Sequence, residues 1–592
     1  MAWPRDRVKV FDDGGLSLGI AQRVVEQLSE KPDSFFGWPV GRTQLEAERH
    51  LRNMHDAGEV DFSQATFGLV DELYGVGKNH PFSYRAAADR NFFDHVKPGR
   101  VFSFDGSVPR EGVEEELQRV QGILEELGSG DLAVLGYSPD IAHLALIEDA
   151  LQLEKRVIFP RLKESTRREM RNVFGEERFV PTHGMSWGFK TITDFEQIVL
   201  GGDGPHKAPM GREIVEEDEN LDVVASLLQS YPQADLYLSD SAAGMFPERA
   251  RPWINGVDMT DGLIASAIVE ASEYSETAIP DLTVDNLRKV DAEFPNLILR
   301  LGKKRTLERL QRALDYELPT GLRIGVLDPH SDDGIICAGG TIKKLSVNND
   351  VFSIVATAGC TAVRDEDVVK LLNGTIRGAV PEYVDEEQVR EFLQRKSESS
   401  HGLVDIPPVR ELKTLLREEE HTRVSYRSGM EPIFLRLPFY DTGLAQKNLS
   451  GPADDAIMRE CLYGLNLDIL LETIEFNDPN FTHLEVHRIS ERVLPDLESV
   501  TLWGYSTAYG EMNPLRAGIL QPLTQDELDE KIETVRMYET QNPMLQPGFQ
   551  KTELWERVLE RNTSTLRRLQ TLGLELDGYA AVEAIQILDL AA

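Results

Sequence analysis

Short runs of apolar residues alternate with longer amphipathic stretches along the whole chain, and this alternation predicts strands separated by helices. Continuous apolar runs are typical of parallel strands that helices cover on both faces. We therefore predict an α/β fold with two Rossmann-like domains, each a mainly parallel sheet flanked by helices. The apolar runs that best fit buried strands lie at residues 132–136, 197–201, 234–238, 322–327, 352–357, 468–471 and 500–503.

A charged amphipathic stretch in the middle of the chain predicts a helix at residues 303–318. Pro319-Thr320-Gly321 ends this helix, and a new strand pattern begins at Leu322. We place the domain boundary at this stop. The predicted organisation is a first domain at residues 1–290, a helical linker at residues 291–321 and a second domain at residues 322–592.

The charge of the chain limits its partners. Its 592 residues carry 63 Lys and Arg against 100 Asp and Glu, a formal net charge of −37. A surface this acidic repels phosphate backbones and anionic lipids, so we expect neither nucleic acid nor a membrane as the main partner. No apolar run approaches the ~18 residues that span a bilayer, and the first residues lack the apolar core of a secretory signal. We expect a cytoplasmic protein.

The strongest chemical motif follows the predicted strand at residues 322–327. It reads Asp328-Pro-His-Ser-Asp-Asp333, so that His330, Asp332 and Asp333 fall within four residues. Imidazole and carboxylate together suit zinc or a similar divalent ion, and a spare carboxylate can accept a proton from water. The alternative is a turn whose aspartates only cap the next helix. The three cysteines are too scattered for a disulfide framework or a zinc knuckle, so a metal would need His and carboxylate ligands.

This region resembles the LmbE-like, PIG-L-type family of zinc N-deacetylases, whose first motif reads (P/A)HPDD followed by GGT. The corresponding residues here are Pro329-His-Ser-Asp-Asp333 and Gly339-Gly-Thr341. The resemblance implies that His330 and Asp333 bind zinc and that Asp332 is the general base.

The same resemblance implies a third ligand, and this sequence departs from the family's motifs at two places. The family's later DPHGTH motif appears as Asp478-Pro-Asn-Phe-Thr-His483, so His483 is the implied third zinc ligand. The earlier histidine of that motif, which assists the reacting carbonyl in relatives, is Asn480 here. Asparagine can donate a hydrogen bond but cannot carry a positive charge. The family's HxSQ stretch appears as Tyr538-Glu-Thr-Gln541.

Residues 34–96 resemble the glucosamine-6-phosphate deaminase/isomerase family. The most similar strings are Asp71-Glu-Leu-Tyr-Gly75, His80-Pro-Phe-Ser-Tyr84 and Arg90-Asn-Phe-Phe-Asp-His-Val96. The resemblance implies that Asp71 shuttles the proton between two sugar carbons, and that His143 with its acidic partner Glu148 opens the sugar ring. Taken one at a time, these residues could equally be a helix cap, a buried histidine and a solvated acid.

A substrate phosphate requires fixed cations and backbone donors. The resemblance assigns the cationic roles to Arg167 and Lys207, and it assigns Gly41 and Thr43 to the phosphate loop. One position departs from the family: the aspartate two residues before the ring-opening histidine is Ile141 here. The altered segment leaves two interpretations open, an altered specificity or a relic site.

Both halves thus resemble modules that act on amino sugars. The predicted protein is a deaminase/isomerase fused to a zinc-dependent N-deacetylase, and its partner is an amino-sugar phosphate or an N-acetylated amino sugar. In the alternative, only the metal hydrolase is active and the first half is a degenerate sugar-phosphate-binding or sensor module. Relatives of the first half commonly form homo-oligomers, although this sequence shows no interface signal.

Overall fold

The computed structural model describes residues 3–12, 14–138, 143–147, 153–174, 177–250, 260–290, 296–444, 447–474, 482–497, 500–506, 512–541 and 553–588. This described part of the chain divides into two compact units. Unit 1 comprises Met1–Ala250 and Glu398–Leu403, and unit 2 comprises Arg251–Ser397 and Val404–Ala592. None of the described helices combines the length and the apolar composition needed to cross a membrane.

Unit 1 is built on a parallel sheet with strand order β1-β10-β9-β6-β2-β3-β5. A smaller antiparallel sheet has the order β4-β8-β7. The strands are β1 (Val8–Phe11), β2 (Phe35–Trp38), β3 (Thr66–Leu69), β4 (Asp71–Leu73), β5 (Arg100–Phe102), β6 (Leu132–Gly136), β7 (Val157–Ile158), β8 (Gly184–Trp187), β9 (Gln197–Gly202) and β10 (Ala234–Ser239).

Helices cover both faces of the main sheet of unit 1, because the strands are apolar on both sides. One hydrophobic core contains Leu135 and Leu200, and a second contains Val134 and Val199 from the same two strands. The helices are α1 (Gly15–Glu30), α2 (Arg42–Asp56), α3 (Tyr84–Ala88), α4 (Asp94–Val96), α5 (Val113–Leu127), α6 (Glu164–Phe174), α7 (Phe189–Thr193), α8 (Ala208–Glu216) and α9 (Pro247–Ala250).

Unit 2 contains a mixed sheet with strand order β13-β12-β11-β14-β15-β17-β16. The strands from β13 to β15 are parallel, whereas β17 runs antiparallel between β15 and β16. The strands are β11 (Arg323–Asp328), β12 (Asp350–Val355), β13 (Glu431–Phe434), β14 (Ile469–Thr473), β15 (Thr501–Tyr505), β16 (Ile519–Leu523) and β17 (Ala581–Leu588).

The fold class is therefore confirmed: each unit is a Rossmann-like α/β layer structure with a mainly parallel sheet. The helices of unit 2 are α10 (Asp261–Ser275), α11 (Val284–Val290), α12 (Asn296–Leu314), α13 (Asp333–Leu345), α14 (Asp365–Leu372), α15 (Glu386–Glu398), α16 (Pro407–Ser428), α17 (Pro452–Leu465), α18 (Thr482–Val493), α19 (Gln525–Val535) and α20 (Leu554–Thr571).

The observed boundary differs from the predicted one. Unit 1 ends its first segment at Ala250 rather than at residue 290, and α12 is not a linker between compact units. The reason is a hydrophobic core that joins Ile268 of α10 and Leu310 of α12 to Leu569 of α20. Because burial of these apolar side chains is favourable, α10 and α12 pack with unit 2 although the sequence pattern separates them from it.

Candidate active sites

The predicted phosphate loop of unit 1 connects β2 to α2. Gly41 adopts an extended backbone before the first turn of α2, and Thr43 in that turn is buried. A β-carbon at Gly201, on β9, would lie 3.4 Å from the Thr43 methyl carbon Cγ2. The loop after β2 therefore packs onto the carboxyl end of β9, at the edge where open parallel sheets bind their ligands.

Lys207 reaches the same edge from the turn after β9. A β-carbon at Gly136, the last residue of β6, would lie 4.0 Å from Lys207 Nζ and 4.0 Å from Gln44 Nε2. The ammonium also lies 4.9 Å from the centre of the Tyr137 ring. The structure thus brings a cation and an amide donor of α2 to one spot beside the phosphate loop. Gln44 was not among the predicted site residues, because nothing in a lone glutamine distinguishes it from an ordinary surface residue.

Asp71 begins β4, directly after the carboxyl end of β3. Its side chain is buried, and burial together with the neighbouring Glu72 carboxylate raises the pKa of Asp71 to about 8. Glu72 has a different role, because it accepts hydrogen bonds from the Ser83 hydroxyl and from the backbone of Tyr84 and Arg85 at the start of α3. Burial also raises the pKa of Glu72, but its hydrogen bonds to the start of α3 give it a structural role, so Asp71 is the acid of this pair that suits a proton shuttle.

Of the other unit 1 residues singled out in the sequence, one lies at the carboxyl edge, one pairs with acidic residues on and near α6, and two are not described by the structure. His143 follows β6, and its backbone N–H donates to the Ser138 hydroxyl at 3.3 Å, so this residue lies at the carboxyl edge. Glu148 and Ile141 lie outside the described residues. Arg167 lies on α6, where its guanidinium pairs with Glu164 and Glu177. Within the described ranges, the structure gives no contact between Arg167 and the residues gathered at the carboxyl edge.

The metal ligands predicted in unit 2 come together. His330 lies in the loop after β11, Asp333 begins α13, and His483 lies in the first turn of α18. His330 Nδ1 is 3.2 Å from His483 Nε2, and each of these nitrogens is 3.3 Å from Asp333 Oδ2. Asp333 and His483 are buried, whereas His330 is partly exposed.

These distances fit a zinc ion. Three ligand atoms that each lie about 2.0 Å from a tetrahedral centre are separated by ~3.3 Å, the spacing observed here. The donor set of two imidazoles and one carboxylate is also one that catalytic zinc sites use, with a position left open for substrate. Burial by itself would raise the pKa of Asp333, but the charge of His483 and the hydrogen bonds from both imidazoles lower it far below its ordinary value. The carboxylate is therefore ionised, as a metal ligand must be.

Asp332, the implied general base, pairs with a residue that the sequence did not single out. Its Oδ1 accepts a hydrogen bond of 2.9 Å from Arg417 Nη2, and both side chains are almost fully buried. Arg417 lies on α16, where Glu420 and His421 interrupt the apolar stripe that Leu412, Leu416 and Val424 form. Charged residues inside such a stripe were the signal that could have located this group.

The loop that carries the ligands is held by a buried hydrogen-bond chain. Tyr538 donates to the Ser331 carbonyl at 2.6 Å, so its hydroxyl oxygen accepts from His421 Nδ1 at 2.9 Å. His421 Nε2 then accepts from the Ser353 hydroxyl at 2.7 Å. Burial and the charge of Arg417 lower the pKa of His421 to about 3, which keeps this imidazole neutral. Tyr538 thus supports the loop without being one of the candidate metal ligands. The predicted substrate-binding residue Asn480 is not among the residues that the structure describes.

Unit 1 is a Rossmann-like α/β domain in which a buried acid follows β3 and a lysine follows β9, both at the carboxyl edge of the sheet, where enzyme domains of this class bind small substrates. No family model matches the chain. A glucosamine-6-phosphate deaminase of Halothermothrix orenii is 32% identical over 232 residues, which cover 39% of this chain and 95% of that protein. Through its N-terminal part, the chain belongs to the glucosamine-6-phosphate deaminase family.

A second relative matches both units. A glucosamine-6-phosphate deaminase-like protein of Bacteroides thetaiotaomicron is 25% identical over an alignment of 628 positions including gaps, and the alignment covers 98% of this chain and 94% of that protein. Among solved structures, a monomeric glucosamine-6-phosphate deaminase is 26% identical, covers 40% of this chain and 99% of its own, and has a TM-score of 0.39. None of these relatives is named as a deacetylase, so the deacetylase resemblance of unit 2 stays a prediction.

Proposed function

We propose that unit 1 converts a 2-amino-2-deoxy aldose phosphate, such as glucosamine 6-phosphate, into a keto-sugar phosphate and ammonia. The observation that carries this proposal is the buried Asp71, whose pKa of about 8 suits a proton shuttle, at the same sheet edge as Lys207 and the Thr43 loop. The relatives of unit 1 are glucosamine-6-phosphate deaminases, which supports the choice of substrate.

In this reaction the imidazole of His143 assists opening of the sugar ring. Asp71 then takes the proton from C2 and returns it to C1, while the C1 oxygen gains a proton and the C2 amine loses one, which converts the open-chain amino aldose into a C2 ketimine. Water adds to the resulting imine carbon at C2, and ammonia leaves as the C2 carbonyl forms. Lys207 and the donors of the Gly41–Thr43 loop bind the phosphate, which fixes C1 and C2 within reach of the Asp71 carboxylate.

A second activity is proposed for unit 2 because His330, Asp333 and His483 form a triangle with the spacing of zinc ligands. We propose a metal-dependent amide hydrolase that removes the acetyl group from an N-acetylated amino sugar. A divalent metal bound there would act as a Lewis acid for the amide carbonyl and for water. Asp332 would accept the proton of the attacking water, while the hydrogen bond from Arg417 to Oδ1 keeps its carboxylate in one orientation.

A product screen tests both proposals with the full chain. Amino-sugar phosphates and their N-acetyl derivatives are incubated with the protein, and ammonia and acetate are measured separately, before and after dialysis against a chelator. We expect ammonia from glucosamine 6-phosphate both before and after dialysis, and acetate from the acetylated sugars before dialysis, or after dialysis once zinc has been added back. Sugar phosphates that raise the melting temperature without any product would instead support the sensor alternative.

Lys207 offers a narrower test of phosphate binding. Because a hydrogen bond to a charged group contributes about 1.5–3 kcal/mol, Lys207→Met is expected to raise KM for glucosamine 6-phosphate by about 10- to 100-fold, with kcat changed only a few-fold. Steady-state ammonia release measures both constants. The matched control is Lys190→Met on α7, where the lysine pairs with Asp194 and KM should stay within twofold. An unchanged KM in the Lys207 variant would remove this lysine from the phosphate site.

A further inference from the structure

Helix α13, which begins with Asp333, is broken in its middle. Ala338 has φ −134° and ψ 18°, outside the helical region, so the residues before and after it form two short helical segments. In an unbroken helix, the N–H of Gly340 would donate to the carbonyl of Ile336, four residues earlier. At this break both groups are bound by side chains from other elements.

A buried ion pair supplies these side chains. Lys531 Nζ, on α19, donates to the Ile336 carbonyl at 2.9 Å, to Asn562 Oδ1 at 2.7 Å and to Glu583 Oε1 at 2.6 Å. All three donors of the ammonium are thereby used. Lys531, Asn562 and Glu583 are each at most 3% exposed.

Glu583, on β17, completes the arrangement from the other side of the break. Its Oε1 accepts from the Gly340 N–H at 2.9 Å, and its Oε2 accepts from both the N–H and the hydroxyl of Thr341 at 2.7 Å. The ion pair thus takes the place of backbone hydrogen bonds that the break removes, which satisfies buried polar groups that would otherwise be costly.

This arrangement explains the Gly339-Gly340-Thr341 motif, to which the proposed chemistry assigns no part. A β-carbon at Gly340 would lie 2.6 Å from Leu523 Cδ2 and 3.3 Å from Glu583 Oε1, so a side chain there would clash with Leu523 and crowd the carboxylate. At Gly339 a β-carbon would lie 3.5 Å from Lys531 Cε. Gly340 therefore allows β16 and β17 to approach the broken helix, whereas a β-carbon at Gly339 would make only ordinary contact. Thr341 supplies two of the four donors to Glu583 given above.

The first segment of α13 begins with Asp333, one of the three ligands of the proposed metal site, and follows directly on Asp332. The Ile336 N–H donates to the Asp332 carbonyl at 2.9 Å, and the Ile336 carbonyl is the acceptor for Lys531. We propose that Lys531 and Glu583 are positioning residues, which fix the turn from Asp332 to Ile336 and thereby the carboxylates of Asp332 and Asp333. This inference rests on the metal site proposed above.

The double variant Lys531→Met/Glu583→Gln tests the inference, because it removes both charges and leaves neither one buried and unpaired. We expect its zinc affinity, measured by competition with a chromophoric chelator, to fall by about 10- to 100-fold, the range found when the outer partners of metal ligands are removed. In the metal-free protein, hydrogen exchange of the amides at residues 333–337 should become faster.

The matched control removes another ion pair of unit 2. Lys370→Met/Asp367→Asn acts on a pair within α14, where the nitrogen and oxygen are 2.9 Å apart, and it should leave zinc affinity within twofold and the exchange at residues 333–337 unchanged. Wild-type exchange and affinity in the Lys531/Glu583 variant, at a temperature where it is folded, would overturn the inference. A wild-type chain that binds no zinc would instead refute the proposed metal site, and the exchange measurement would still decide whether the ion pair fixes this turn.

Discussion

The Asp71→Asn variant is expected to release ammonia from glucosamine 6-phosphate about a thousandfold more slowly than the wild-type chain. General base catalysis contributes about 10²- to 10⁴-fold to rate, and an asparagine amide cannot take the C2 proton. Burial raises the pKa of Asp71 to about 8, and only the ionised carboxylate acts as the base. The wild-type kcat/KM should therefore rise with pH from 6 to about 8, and this rise should vanish in the variant.

The same substitution should make unit 1 more stable near neutral pH. The unfolded chain ionises Asp71 above its ordinary pKa of 3.8, whereas the folded chain keeps the proton up to a pKa of about 8. This difference in pKa lowers the free energy of unfolding by about 4 kcal/mol at pH 7, because each pH unit above 3.8 contributes about 1.4 kcal/mol. Asparagine removes the cost, so we expect a melting temperature higher by several degrees at pH 7, and a gain less than half as large at pH 5.

Glu48→Gln on α2 is the matched control for this experiment. Burial raises the pKa of Glu48 to about 8, and its carboxylate accepts a hydrogen bond from Trp38 Nε1. This variant should also be more stable at pH 7, but it should keep wild-type ammonia release. If Asp71→Asn instead turned over at the wild-type rate, the carboxylate of Asp71 would have no part in the proton transfer and unit 1 would require a different base.

The His483→Ala variant is expected to lose the metal of unit 2. We expect the wild-type chain, purified with zinc, to hold about one zinc per chain after gel filtration, and the variant to hold close to none, because only His330 and Asp333 remain. Inductively coupled plasma mass spectrometry measures the stoichiometry. Zinc at 1,000 times its Kd should also stabilise the wild-type unit by about 4 kcal/mol, and this shift in melting temperature should be absent from the variant.

Asp332→Asn separates metal binding from chemistry. The Asp332 carboxylate contacts Arg417 and is not part of the ligand triangle, so this variant should retain zinc while acetate release falls about a thousandfold. Two results would contradict the proposal: wild-type zinc content in His483→Ala, or a wild-type chain that holds no zinc after exposure to it. Loss of zinc in the Asp332 variant would indicate that this carboxylate helps to hold the metal rather than to move protons.

The predicted apolar runs correspond to β6, β9 and β10 of unit 1 and to β11, β12, β14 and β15 of unit 2, because buried parallel strands are short continuous apolar runs. Residues 132–136 match β6 at both ends, and residues 234–238 differ from β10 by one residue. The pairing of β4, β7 and β8 was not predicted, because strands of two to four residues carry too little pattern. The compact units divide after Ala250 and not at residue 290, because α10 shares a core with residues about 300 positions away.

The ligand residues predicted in unit 2 lie together in the structure, although their role in binding a metal stays a prediction. His330 and Asp333 belong to one loop, and the resemblance located His483 before the structure joined it to them. The partners of these groups could not be found in the same way. Arg417 is separated from Asp332 by 85 residues and Lys531 from Glu583 by 52. Charged residues inside an apolar stripe, as on α16, indicate burial, but the sequence does not show which distant group each of them pairs with.

Strand β17 carries Glu583 and lies between β15 and β16, although it follows both of them along the chain. During synthesis the sheet of unit 2 therefore cannot be completed in the order in which its strands are made. Until β17 has been synthesised, β15 and β16 each present an unpaired edge that can recruit another chain. A nascent unit 2 is thus exposed to misassembly until β17 is available, and the broken helix α13 acquires the carboxylate of Glu583 only at that moment.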